Sequence, residues 1–170
     1  TMQRVLVIGI SGAGKSTFSR ALADRTGLPL VHLDKAFWQP GWVETRRPQW
    51  RENVVELAAA ARWIMDGNYA SSLDLRLPRA DAVIWFDYPR LVCLARALRR
   101  VATSYGRVRA DMGPGCPERI DLDFLRYIWR FNDRQRPRII AALAQFGAHL
   151  DPVVFRRDAD VARYLDSVPG

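Results

Sequence analysis

The chain has 170 residues, 49% hydrophobic and 26% charged, ordinary proportions for one folded domain with a proper core. No apolar run approaches the ~20 residues that span a bilayer, and the short N-terminal run has no basic leader, so neither a membrane anchor nor a signal peptide is read and a cytoplasmic protein is expected. The net charge is +8, yet residues 90–138 hold 12 Arg and 5 acids, so nearly all the surplus lies in one internal segment rather than in a Lys-rich basic tail.

The elements alternate along the chain. "RVLVI" (4–8) is a continuous apolar, β-branched run of the kind that forms a strand buried on both faces. The helix after the next loop carries Phe18, Ala21 and Leu22 on one face and closes at Thr26-Gly27. "LPLVHLD" (28–34) predicts a second strand ending in an acid. Thr45 is placed to cap a helix running to about Ala61, with Trp50, Val54, Leu57 and Ala61 as its core stripe. "RWIMD" (62–66) and "DAVIWFD" (81–87) read as strands, and a helix follows from Arg90 to about Thr103. Residues 104–119, rich in Gly, Pro and Arg, read as a flap. Residues 121–146 read as helix with a break at Pro137, "HLDPVVF" (149–155) as the last strand and 158–167 as a closing helix. Five short strands separated by helices predict an α/β fold with a parallel sheet. Cys93 and Cys116 lack the spacing of a zinc site or a disulfide framework and read as small apolar residues.

"GISGAGKS" (9–16) fits GxxxxGK[ST] at every required position, between a buried strand and an amphipathic helix. Gly9, Gly12 and Gly14, with Ser11 and Ala13 between them, let backbone N–H groups turn inward around phosphate oxygens. The helix start at Lys15, Ser16 and Thr17 adds the positive end of a dipole. Lys15 reaches the terminal phosphates and the Ser16 hydroxyl ligates Mg²⁺. ATP and Mg²⁺ are therefore the expected cofactors. Ligands of such sheets bind beyond the carboxyl ends of the strands, which brings Asp34 and Asp66 to the same place. Asp66 reads as a magnesium acid or a turn residue; Asp34 reads as a proton acceptor, a substrate ligand or a helix cap. Trp38 and Trp42 flank a Pro-Gly turn and serve either the core or a stacking wall. Asp87, before a proline, reads as a helix-start residue. Arg96 and Arg100 share one helix face, and Arg126, Arg130 and Arg134 another. Bracketing the flap, they read as a lid at about 100–135 that supplies positive charge, with Arg100 and Arg130 catalytic beside Lys15 and Asp34.

The whole pattern resembles the adenylate-kinase-like nucleotide and small-molecule kinases. The resemblance implies a three-layer P-loop NTPase fold, its five strands in the order 2-3-1-4-5, with a helical Arg-rich lid. It also implies that Arg96 and Arg100 contact adenine and phosphate, and that "FRRDADV" (155–161) borders the base, placing Arg156 there. "HLD…FWQPGW", "WIMDGNY", "DLRLPRAD" and "GCPERIDLDFLRYIWRF" are similar to the bacterial DNA topology modulation proteins, an adenylate-kinase-related group. Where adenylate kinases carry "DGFPR", this chain has Asp66-Gly67-Asn68-Tyr69 and no arginine. With Trp38 and Trp42, Asn68 and Tyr69 then suit a hydroxyl-bearing acceptor with less phosphate. The reading is an ATP-dependent phosphotransferase acting on a small molecule. The alternative is a DNA-binding or regulatory ATPase that affects DNA topology, as the group's name implies. Oligomeric state is left open.

Overall fold

Each apolar run is short, so the chain must turn back every few residues, and the helices between runs cover the sheet that results. The structure, a computed structural model, describes residues 1–119 and 121–170. In chain order, β1 (Arg4–Gly9) leads through a glycine loop into α1 (Lys15–Thr26). β2 (Leu30–His32) runs into α2 (Leu33–Phe37) and a small hairpin, β3 (Trp38–Gln39) and β4 (Val43–Glu44), before α3 (Arg47–Ala59) and β5 (Trp63–Asp66). Turns at Ala70–Ser72 and Leu77–Arg79 flank α4 (Leu73–Arg76), followed by β6 (Ala82–Phe86) and α5 (Arg90–Ser104). A loop then reaches α6 (Leu122–Trp129), α7 (Phe131–Arg134), α8 (Arg136–Phe146), β7 (Val153–Phe155) and α9 (Asp158–Ser167).

The main sheet is parallel throughout, in the order β2-β5-β1-β6-β7. Counting only its five strands, this is the expected order 2-3-1-4-5. β1 lies at the centre, and Val5, Leu6, Val7 and Ile8 are 0% exposed, as a strand covered on both faces requires. α1 packs across β1, β2 and β5 and meets α9. Phe18 of α1 joins Phe86, Phe155 and Tyr164 in an edge-to-face cluster with centroids 5.4 to 5.9 Å apart, which ties the carboxyl ends of β6 and β7 to α1 and α9. The register pairs His32 with Asp66 and Asp66 with Val7, so the end of β5 lies level with the end of β2 and just below the glycine loop.

Several boundaries differ from expectation for identifiable reasons. Thr45 does not cap α3: its Oγ1 donates to Phe37 O at 2.5 Å and closes the hairpin, while Arg46 precedes the helix and Pro48 occupies its first turn. The buried seam of α3 is Trp50, Val54 and Ala58, with Leu57 half-buried and Ala61 beyond the helix end. Residues 121–146 break twice, at Arg130 and Gln135. Pro137 sits in the first turn of α8, where its missing N–H costs no hydrogen bond, so the break falls before the proline. Asp34 falls within α2, just past the second strand rather than at its end. The 38–44 hairpin and the turns over 70–79 had no periodic pattern to announce them. Among the described residues no helix is long and apolar enough to cross a membrane.

Candidate active site

The carboxyl ends of the strands open into a cleft of about 870 Å³. On its floor, Gly12 has φ +84°, and a Cβ there would meet the Cys93 carbonyl oxygen at 2.5 Å, so only glycine lets the loop pass α5 this closely. Gly14 caps α1, whose first turn carries no acid, leaving its N–H groups and dipole available to an anion. Lys15 Nζ donates to Ile10 O at 2.8 Å. Burial pulls its pKa below the ordinary lysine value, while the nearby Asp66 and Asp34 carboxylates act in the opposite direction. Ser16 Oγ donates to Asp66 Oδ2 at 2.6 Å, and His32 Nδ1 lies 2.8 Å from the same oxygen. Asp66 is 5% exposed, so both contacts hold its carboxylate fixed.

Across the cleft, Asp34 accepts a short hydrogen bond from the Tyr69 hydroxyl. Burial raises the Asp34 pKa, and the Tyr69 hydrogen bond partly opposes that rise. Burial also raises the Tyr69 pKa well above its usual value, with the Asp34 charge adding to it, so the phenol stays the donor. The Tyr69 ring is wedged between Phe37 and Trp50, 4.9 and 5.1 Å away, and its backbone adopts φ +34°. Trp38 and Trp42 meet edge to face at 5.4 Å and both line the cleft. Asn68 also lines it and is 6% exposed; the Tyr127 hydroxyl sits beside its amide, yet neither amide atom has a partner within hydrogen-bond geometry among the described residues.

Arg76 escaped the sequence reading and organises this side. It is 0% exposed, and instead of a carboxylate its guanidinium finds Gly67 O (3.0 Å), Asn68 O, Tyr69 O (3.1 Å) and Ser72 Oγ (3.2 Å). Burial lowers its pKa to about 9. The fork pins the turn that presents Asn68 and Tyr69. Arg76→Met strands three carbonyls, and a loss of about 2–4 kcal/mol is expected in denaturant unfolding, since each unpaired buried group costs roughly 1–3 kcal/mol and relief of the buried charge offsets part of the sum.

The sequence-predicted residues divide clearly. Ser11, Gly12, Gly14, Lys15, Ser16 and Thr17 line one side of the cleft; Asp34, Trp38, Trp42, Asn68 and Tyr69 line the other, with Asp66 between. Gly9 and Ala13 are buried behind the loop. Arg96 and Arg100 line the cleft too: Arg96 bonds Asp158 Oδ2 at 2.6 Å and lies 5.5 Å over the Tyr88 ring, and Arg100 bonds Glu118 Oε1 at 3.0 Å. Arg130 lies elsewhere. With Arg126 and Arg134 it lines a separate, smaller depression beside Tyr127, so the three share a face that lies outside the cleft lining. Arg156 is exposed after β7, outside the cleft lining.

His32, Arg109, Asp111 and Glu118 were also missed. Asp111 lies 3.7 Å from Arg109; burial opposes its charge, but the Arg109 guanidinium holds its carboxyl below its ordinary value. Six cationic and six acidic side chains line the cleft, so the chain's +8 surplus does not collect there. Among the described residues no three His, Cys, Asp or Glu side chains converge on one metal position. The paired Ser16 hydroxyl and Asp66 carboxylate nonetheless supply the hard oxygen donors that Mg²⁺ takes alongside phosphate and water.

Strand order and glycine loop together define the fold as that of the P-loop kinases. Among solved structures, the chain is similar to the shikimate kinase of Acinetobacter baumannii in complex with shikimate, with a TM-score of 0.58 and 17% identity over 99% of this chain and 91% of that one. It is also similar to a gluconokinase from Sinorhizobium meliloti 1021 (TM-score 0.52, 18% identity, 96% and 94% covered). The deoxyadenosine kinase of M. mycoides with bound dCTP gives a TM-score of 0.52 and 12% identity over 96% and 97% of the two chains. No protein-family profile matches the chain, and no curated protein matches it in sequence.

Proposed function

We propose that this chain transfers the γ-phosphate of ATP to a hydroxyl group of a small molecule that carries little or no phosphate itself. One observation carries the reading: a single cleft is lined on one side by Ser11, Gly12, Gly14, Lys15, Ser16 and Thr17 of the glycine loop and on the other by the half-buried Asp34 carboxylate. Lys15 and the α1 N-terminus hold the phosphates, and Arg96 lies on the adenine side with Arg156 at its margin. Ser16 and Asp66 would hold Mg²⁺, which when bound neutralises charge building between the β- and γ-phosphates. Arg100 supplies further positive charge, and Arg109 takes the place that sequence periodicity gave to Arg130. Asp34 receives the acceptor's proton, with Asn68, Tyr69, Trp38 and Trp42 around the acceptor. Residues 1–170 act as one domain with a lid at about 100–135, working in the cytoplasm.

The kinases of similar fold act on shikimate, gluconate and deoxyadenosine by name, which sets the breadth of the test. Purified protein with ATP, Mg²⁺ and a panel of nucleosides, nucleotides, sugars and hydroxy acids should release ADP with one acceptor class. Absence of acceptor-dependent ADP across that panel overturns the proposal. The exposed Arg126, Arg130 and Arg134 favour one second reading, contact with nucleic-acid phosphates and an effect on DNA topology. It requires duplex binding that weakens steeply with salt; negligible binding near physiological salt removes it.

A further inference from the structure

The loop between α5 and α6 is cinched at its neck. Gly106 N donates to Glu118 O and Glu118 N to Arg107 O, both at 2.7 Å. The same Glu118 is 6% exposed, and its carboxylate faces two guanidiniums from different elements. Arg100 Nε, from α5, donates to Oε1 at 3.0 Å; Arg109 Nε, from the loop, lies 3.2 Å from Oε2 in an ion pair off the hydrogen-bond line. Both arginines line the cleft, and Arg109 lies near enough to Asp34 to favour its charged form.

The residues flanking Glu118 reach the opposite wall. Trp42 Nε1 donates to Pro117 O at 3.0 Å, Gly41 N to Gly115 O at 2.7 Å, and Cys116 Sγ to Gln39 O at 3.1 Å. The Arg119 guanidinium lies 5.2 Å over the Trp42 ring. Gly113 passes so near the hairpin that a Cβ would meet Trp38 O at 2.6 Å. Lid and hairpin are therefore one jaw, and Glu118 joins that jaw to α5.

We propose that Glu118 is a positioning residue that sets Arg100 and Arg109 side by side over the phosphates and transmits their engagement to the Trp38–Trp42 wall. This rests on the ATP reading above. Two guanidiniums this close repel unless an anion lies between them, and Glu118 is that anion. Incoming phosphate oxygens then compete for the same donors. The pull on Glu118 travels through Pro117 to Trp42, so the acceptor wall is set only when the donor site is filled.

The test uses the non-hydrolysable ATP analogue adenylyl imidodiphosphate with Mg²⁺, calorimetry for affinity, and the Trp42 part of the emission, taken as the difference from Trp42→Phe. In the unaltered protein the analogue should bind and change that emission. In Glu118→Gln, affinity should stay within about threefold while the emission change is lost, and turnover with the accepted substrate should fall at least about tenfold with KM for ATP little changed. Glu118→Asp should recover part of both. If Glu118→Gln melts too early to measure, Arg109→Gln unloads the same carboxylate, and the Trp42 response, read at analogue concentrations that saturate the site, must be lost there as well. A full Trp42 response in Glu118→Gln, or none in the unaltered protein despite binding, overturns the proposal. Loss of analogue binding in Glu118→Gln also overturns it, by making Glu118 part of the fold alone. No analogue binding by the unaltered protein instead overturns the ATP reading on which it rests.

Discussion

Replacing Lys15 with alanine is expected to weaken ATP binding by about 10²–10³-fold while leaving the melting transition nearly unchanged, the size expected for loss of a charge-assisted contact in a water-poor cleft. The fold should survive because Lys15 is the first residue of α1, where alanine is at least as good a helix former, and because Gly12, Gly14 and the buried Phe18 hold the loop without it. What is lost is an ammonium group held 2.8 Å from Ile10 O, with only the backbone to leave when phosphate arrives. The sign of the pH dependence follows. Burial lowers the Lys15 pKa, so its charge disappears at a lower pH than that of an ordinary lysine. ATP affinity should therefore fall on the alkaline side before an ordinary lysine would titrate. Lys15→Ala should lack that limb. Calorimetric titration of ATP across pH, on both proteins, measures the affinity and the limb together; unaltered affinity in the variant overturns the assignment of the loop.

How much of this could be read from residues alone depends on how far each side chain's partners lie along the chain. The glycine loop was legible because its chemistry is local: a buried strand, glycines at fixed spacing and a helix start within about a dozen residues. The sheet order followed from resemblance and the strands from their apolar runs, and Asp66 was found because it ends one. The wall across from the glycine loop was only half legible. Asp34, Asn68 and Tyr69 stood next to readable strands, but Arg76, which pins the turn of Asn68 and Tyr69, looks in sequence like any helical arginine. Nothing in "DLRLPRAD" says that it is buried without a carboxylate. Glu118 and Arg109 sit in a segment with no periodicity; Glu118 finds Arg100 on another helix, and its neighbour Pro117 is met by a hairpin some 75 residues earlier. Arg130 shows the complementary limit, since it lies outside the cleft lining. Spacing of four placed it correctly on one face with Arg126 and Arg134, but spacing cannot say which way the face points.

Asp34→Asn should separate a proton acceptor from a mere substrate ligand, and the larger effect belongs to the first. As proton acceptor, its loss should lower kcat by about 10²–10⁴-fold with ATP affinity unchanged. As ligand only, asparagine keeps one acceptor and adds a donor, so KM for the acceptor should rise while kcat largely survives. The environment favours proton transfer. Burial raises the Asp34 pKa above the ordinary carboxylate value, bringing it nearer neutral pH, where a base accepts a proton most usefully. A base works only when ionised, so activity should fall as pH drops through that raised pKa, with an acid limb above the usual carboxylate range. Tyr69 tests the same group from its other side. Its hydroxyl donates to Asp34 and favours the ionised form, so Tyr69→Phe should raise the Asp34 pKa further and move the acid limb up, not down. The ring contacts to Phe37 and Trp50 remain in that variant, so packing changes little. An acid limb that stays in place in Tyr69→Phe, or persists in Asp34→Asn, assigns the titration to another group and leaves Asp34 as a ligand.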